Sequence, residues 1–273
     1  MLRDITLGQF FPGKSALHVI DPRVKIIISI AYIVSVFLAK TPSAYALLVL
    51  FTAAIVVISQ IKFKVILRGM KPLLFIIIFT SIINIFFTKG ENLLFEWKFI
   101  QIYLEGVMTA VFMAIRISAL LIGTSVLLTY TTSPIALTDA IERLLSPLKY
   151  IKIPVHEFAM MMTIALRFIP TLIEETDKIM SAQKARGADF SSGKLTDRAR
   201  ALIPVLIPLF ISAFRRADDL AVAMECRCYR GGSGRTRMTK LHLHFIDFAS
   251  VFVIGAFIAG VVLIGIYYPL NVV

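Results

Sequence analysis

The sequence predicts an all-α integral membrane protein of about five transmembrane helices, with long amphipathic helices on the cytoplasmic side. Three observations carry this. Hydrophobic residues make up 58% of the 273, with 21 Phe, above the roughly 45–50% usual for a soluble domain. Several apolar runs approach the ~20 residues that a helix needs to cross a bilayer. Lys and Arg gather in a few segments, as they do in the cytoplasmic loops of membrane proteins. That distribution explains the net charge of +12 without nucleic acid, since the aromatic residues lie in apolar runs and not among the charges.

Residues 1–23 read as a turn-rich cytoplasmic leader. No continuous apolar core of a cleavable signal is expected there. Gly8 to Ser15 matches G-x-x-x-x-G-K-S, but a phosphate cradle needs a strand before it and a helix after it. The interior Phe-Phe-Pro is bulky and lacks a backbone donor, so a turn pivoting on Gly13 is expected instead. Spans one to four fall within residues 24–130. Val24–Leu38 is entered through Asp21 as N-cap and Pro22 at the first helical position. Ala44–Ile61 follows a short turn. Lys62, Lys64, Arg68 and Lys71 form a basic loop, Pro72–Phe87 is the third span, and Thr88–Glu105 is a longer loop. Gly106–Tyr130 is the fourth span. Its Arg116 is expected to pair with a carboxylate or to snorkel.

The leader through Lys25 holds four Lys and Arg, the 62–71 loop four, and the chain after Tyr130 seventeen. The loops at 39–43 and 88–105 hold one and two. The positive-inside rule then puts the N-terminus and residues 131–244 in the cytoplasm. A last span at 245–268 leaves the tail, 269–273, outside.

The region 131–244 carries 17 basic and 11 acidic residues beside apolar runs broken by Pro170, Pro204 and Pro208. Three helices are expected, near 134–148, 155–186 and 196–229. The second and third share a plan: an apolar start, an amphipathic continuation and an end in arginine. The ends read Ala185-Arg186-Gly187 and Cys226-Arg227-Cys228. A cation in a last turn answers the helix dipole, and glycine often follows a helix end. Recurrence of the plan marks both arginines as candidate contacts, because a guanidinium fork bonds carbonyls or carboxylates in a pocket.

Three segments in order carry a resemblance over essentially the whole chain. They are Phe10 to His18 with Asp21-Pro-Arg-Val-Lys25, then Lys184-Ala-Arg-Gly187, then Ala223 to Thr236. The chain resembles the transmembrane coupling subunit, the T component, of energy-coupling factor transporters. These are ATP-binding-cassette importers in the cell membrane of prokaryotes, for vitamins and related micronutrients. The resemblance implies a non-catalytic subunit whose arginine ends dock on two ATPase subunits, alike or different. Those subunits would bind ATP and magnesium, leaving this chain without a cofactor. It also implies a membrane-embedded substrate-binding S component, with Met160, Met161 and Met162 as a surface suited to it. In the family the second motif reads Ala-Arg-Gly. Here only Arg227 survives, and Cys228 is not expected to reach positive φ as glycine does.

Two other classes compete. A membrane enzyme would use Arg116, Arg167 and the cluster Glu174, Glu175 and Asp177. A zinc protein would use Cys226, Cys228, His242 and His244, although structural sites usually space their cysteines more widely.

Overall fold

The computed structural model describes residues 10–13, 15–90, 92–97, 100–190, 194–232 and 242–267. Nearly all of these are helical, in the order α1 (Ala16–Val19), α2 (Pro22–Leu38), α3 (Pro42–Ser59), α4 (Phe63–Phe87), β1 (Leu93–Trp97), β2 (Ile100–Tyr103), α5 (Leu104–Thr124), α6 (Pro134–Leu144), α7 (Val155–Ala185), α8 (Leu195–Cys226) and α9 (Phe245–Tyr267). The chain divides into two compact units. One comprises residues 8–137 and 240–273, the other 1–7 and 138–239.

Five helices are long and apolar enough to cross a membrane: α3, α4, α5 with its continuation to Tyr130, α7 and α9. The number matches the expectation, but the membership differs. α2, expected as the first span, has 17 residues, about 25 Å of helix against a hydrocarbon core of about 30 Å. α7, expected to lie at the surface, reaches the criterion with the lowest hydropathy of the five.

In the larger unit α2, α3, α5 and α9 pack together and α4 lies along α5. Tyr32 of α2 is fully buried at the centre. Its hydroxyl donates to the Ala119 carbonyl of α5 at 2.8 Å and lies 2.8 Å from the Thr52 hydroxyl of α3. Gly123 makes room for this ring, since a Cβ there would overlap it. Phe51 and Phe257 stack at 3.9 Å, tying α3 to α9. Asp21 caps α2 as expected, accepting from the Arg23 amide at 2.9 Å, with Pro22 following.

The carboxylate of Asp247, 1% exposed, caps two helices at once. It accepts the His244 amide at 2.6 Å at the start of α9 and the Asp21 amide at 2.7 Å at the start of α2. Nearby, Lys25 is buried and donates to the Thr131 carbonyl at 2.9 Å and the Thr132 hydroxyl at 3.2 Å. Those two residues follow a π-helical turn, Ser125–Tyr130, that extends α5.

Several expectations are corrected. The 62–71 stretch is not a loop: α4 starts at Phe63 and runs through Pro72. Proline there removes one backbone bond, and the Lys and Arg around it are good helix formers, so the helix continues. The loop at 88–105 holds an antiparallel hairpin pairing Leu93 with Tyr103 and Trp97 with Ile100. Arg116 pairs with no carboxylate among the described residues. It donates to the Ala39 carbonyl at 3.0 Å, just past the end of α2, and lies 5.5 Å from the Tyr45 ring centroid. A guanidinium thus satisfies an exposed helix-end carbonyl where water is scarce. In the leader, the Ser15 hydroxyl donates to His18 Nδ1 at 2.6 Å and His18 Nε2 donates to the Phe11 carbonyl at 2.9 Å. Ser15 is therefore buried and spent on a turn. Gly8 and Lys14 of the nucleotide-like motif lie outside the described residues.

Candidate functional site

The smaller unit is built on α7 and α8, which pass one another in opposite senses. Ile164 and Arg167, early in α7, share a cleft with Leu220 and Met224, late in α8. Leu172, further along, lines a second cleft with Leu206 to Ala213. Arg216 donates to Glu175 at 2.8 Å and locks the pair. Glu174 and Lys178, four apart, form no ion pair. His156 at the start of α7 bonds the buried Glu142 of α6 at 2.9 Å. The chain after α8 folds back, so that Gly232 packs against the His156 ring.

Both arginines occupy the same structural position. Arg186 is the C-cap of α7, with φ −88° and ψ 7°. The next residue, Gly187, turns to φ 88°. Its amide donates to Lys184 O at 3.0 Å, and the Ala188 amide reaches back to Gln183 O at 3.0 Å. Arg227 is the C-cap of α8, with φ −91° and ψ 15°. Cys228 turns to φ 55°. Its amide donates to Glu225 O at 2.8 Å, and the Tyr229 amide to Met224 O at 3.0 Å. These paired bonds are the Schellman arrangement, which closes a helix by one left-handed residue. The expectation for Cys228 is therefore overturned: it takes positive φ as glycine would. Two backbone bonds outweigh the ~1 kcal/mol that a Cβ costs there.

Ala185, Arg186, Gly187, Cys226, Arg227 and Cys228 are all exposed. Neither arginine meets a carboxylate among the described residues. Each helix of the pair is about 46–48 Å long by its 31 or 32 residues and the helical rise. Because α7 and α8 run in opposite senses, the two arginines stand at opposite ends of the pair. Cys228→Gly should relieve the strained backbone by about 0.5–1 kcal/mol. Hydrogen exchange at the Tyr229 amide should slow about two- to fivefold, and unchanged exchange would refute the strain.

The surroundings of the ends differ. Around Arg227 lies a cleft of about 480 Å³, lined in part by Met160, Met224, Tyr229 and Arg230. Met160 is half-buried in it, whereas Met161 and Met162 are exposed. Arg230 and Tyr229 were not singled out from sequence. Their signal was only a second arginine three residues after the first. At Gly187 nothing lies within 4 Å of where a Cβ would stand.

The competing constellations do not assemble. Glu175 is taken by Arg216 and Arg116 by a backbone carbonyl. Among the described residues no three His, Cys, Asp or Glu gather as metal ligands, and Cys226 and Cys228 are free thiols.

Comparison with known proteins agrees in extent with a whole-chain match. A family profile described as CbiQ, cobalt transport protein, matches residues 13–238. A Ruminiclostridium cellulolyticum protein named energy-coupling factor transporter transmembrane protein EcfT is 58% identical over 96% of this chain and 98% of its own length. Proteins of the same name from Clostridium kluyveri and Bacillus subtilis are 57% and 47% identical. They cover 91% and 88% of this chain, and 92% and 91% of their own. On a profile that spans most of the chain and relatives that align nearly end to end, the chain belongs to the CbiQ/EcfT family of transporter transmembrane proteins.

Proposed function

We propose that this chain is the coupling subunit of an energy-coupling factor importer. It passes the ATP-driven movement of two cytoplasmic ATP-binding-cassette ATPase subunits to a membrane-embedded S component, for uptake of vitamins or related micronutrients. The single observation that carries the reading is the pair of matched arginine C-caps. Both are exposed, both close by the same turn, and both lack an internal carboxylate. One at each end of an antiparallel helix pair suits two ATPase subunits side by side. The chain itself is a non-catalytic transporter subunit. ATP and magnesium belong to the ATPases, and Met160, Met161 and Met162 are offered to the S component.

The charge count supports a cytoplasmic N-terminus and an external C-terminus in the cell membrane. On that reading α2 crosses as a short span and α7 stays at the surface. Arg167, Glu174, Glu175 and Asp177 along α7 favour the surface position, because a charge at the bilayer centre costs about 3 kcal/mol or more.

Co-purification from membranes tests the docking. Wild type is expected to retain both ATPase subunits. Arg186→Glu or Arg227→Glu leaves a wrong-signed charge in a complementary groove, costing about 2–5 kcal/mol, or about 30-fold or more in retention. Undiminished retention by both folded variants would withdraw the reading.

A further inference from the structure

The first turns of α4 hold four cations that the coupling function does not use. Lys62, Lys64, Arg68 and Lys71 are all exposed. None has an ion-pair partner among the described residues, and the sequence holds no acidic residue between Asp21 and Glu91. Because α4 is helical from Phe63, the spacing has a meaning that a loop would deny it. Lys64, Arg68 and Lys71 stand at i, i+4 and i+7, one stripe on one face. The opposite face is anchored: Ile66 is 2% exposed and Gly69 packs beneath Tyr130. The stripe is therefore held outward and cannot roll inward to find a partner.

The same face continues at Phe75, Ile78 and Ile82, which are 75%, 56% and 47% exposed. Only 6% of the apolar window of α4 is buried. One continuous face thus passes from exposed cations to exposed hydrocarbon between Lys71 and Phe75, within a single turn. Phe63 and Leu67, both exposed, flank the cations with apolar surface. A water-borne acidic protein would match the cations and leave that flank bare. A phospholipid with an anionic headgroup matches both parts, its phosphate at the stripe and its acyl chains along the face below.

We propose that this face of α4 binds anionic phospholipid, with Lys64, Arg68 and Lys71 as the headgroup contacts and Lys62 adding field at the helix start. The proposal stands apart from the ATPase docking and does not depend on it.

Lipid-selective quenching of a local reporter tests it. Trp97, the chain's one tryptophan, is replaced by Phe, and Leu67→Trp places a reporter beside the stripe. The full chain is reconstituted into phosphatidylcholine vesicles containing either brominated phosphatidylglycerol or brominated phosphatidylcholine. A near-surface cation contributes about fivefold, so the glycerol lipid should be preferred by about tenfold or more. Lys64→Gln/Arg68→Gln/Lys71→Gln should reduce that preference to within about twofold, while Arg68→Lys preserves it. About 1 M salt, where screening extends only ~3 Å, should weaken it. Equal quenching by both lipids in the otherwise unaltered stripe overturns the proposal and leaves the cations to an acidic protein surface. A preference that survives the triple substitution also overturns it, because the selectivity then arises elsewhere.

Discussion

Arg186→Glu/Arg227→Glu is expected to strip both ATPase subunits from the chain and abolish ATP-dependent uptake, with the chain itself still folded in the membrane. Each reversal costs about 2–5 kcal/mol of binding if the arginine enters a complementary groove. At a solvated helix end the same change costs tenths of a kcal/mol to about 1. The gap between those ranges makes the test decisive. The fold should survive, because neither guanidinium makes an ion pair within the described chain. Uptake into proteoliposomes and the ATPase content of the purified complex read the result. Arg→Lys at both positions separates charge from shape: it keeps the cation and loses the planar fork, so intermediate retention is expected. A folded double variant that holds both ATPases and transports normally would refute docking at these ends.

Asp247→Ala is expected to be the most damaging single change to the larger unit, at about 3–5 kcal/mol. The carboxylate accepts the amides that begin two different helices, at 2.7 and 2.6 Å. Its removal strands both donors in a site that is 1% exposed. It also takes away a negative charge whose field reaches buried Lys25 and Arg23. Asp247→Asn keeps one acceptor oxygen and should recover part of the loss. Thermal unfolding of the purified chain in detergent measures both, and an alanine variant as stable as wild type would show that the double cap carries no weight.

Helix ends with local chemistry were legible in the sequence. Asp21-Pro22 started α2 where the cap and the proline said it would, and α7 and α8 ended at their arginines within a residue or so. Ends marked by a misleading residue were not. Pro72 looked like the first residue of a span, yet a helix with good formers on both sides simply runs through it, so the basic segment before it went unread as a helix face. Arg116 could not be placed, since its partner is a carbonyl 77 residues away and carbonyls carry no signature. The double role of Asp247 was invisible for the same reason. At the candidate site the arginines themselves were legible. Their shared cap geometry was not, because residue type argued that Cys228 would refuse the left-handed turn. Propensity is a local preference of about 1 kcal/mol, and two closing bonds override it.

The π-helical turn at Ser125–Tyr130 has a bearing on how this chain tolerates length changes. A π turn carries one residue more than the α-helical path it replaces, and so advances the angular phase of everything after it by about 100°. Losing one residue there would let the backbone close as ordinary α-helix with its hydrogen bonding intact. Yet Thr131 and Thr132 would swing away from the Lys25 ammonium that now holds them, and Tyr130 from the Phe11 amide bonded to its carbonyl at 3.0 Å. Insertions and deletions at this point are therefore read as rotation and not as distance. A one-residue gap that most loops would absorb silently becomes a change of bearing for all that follows.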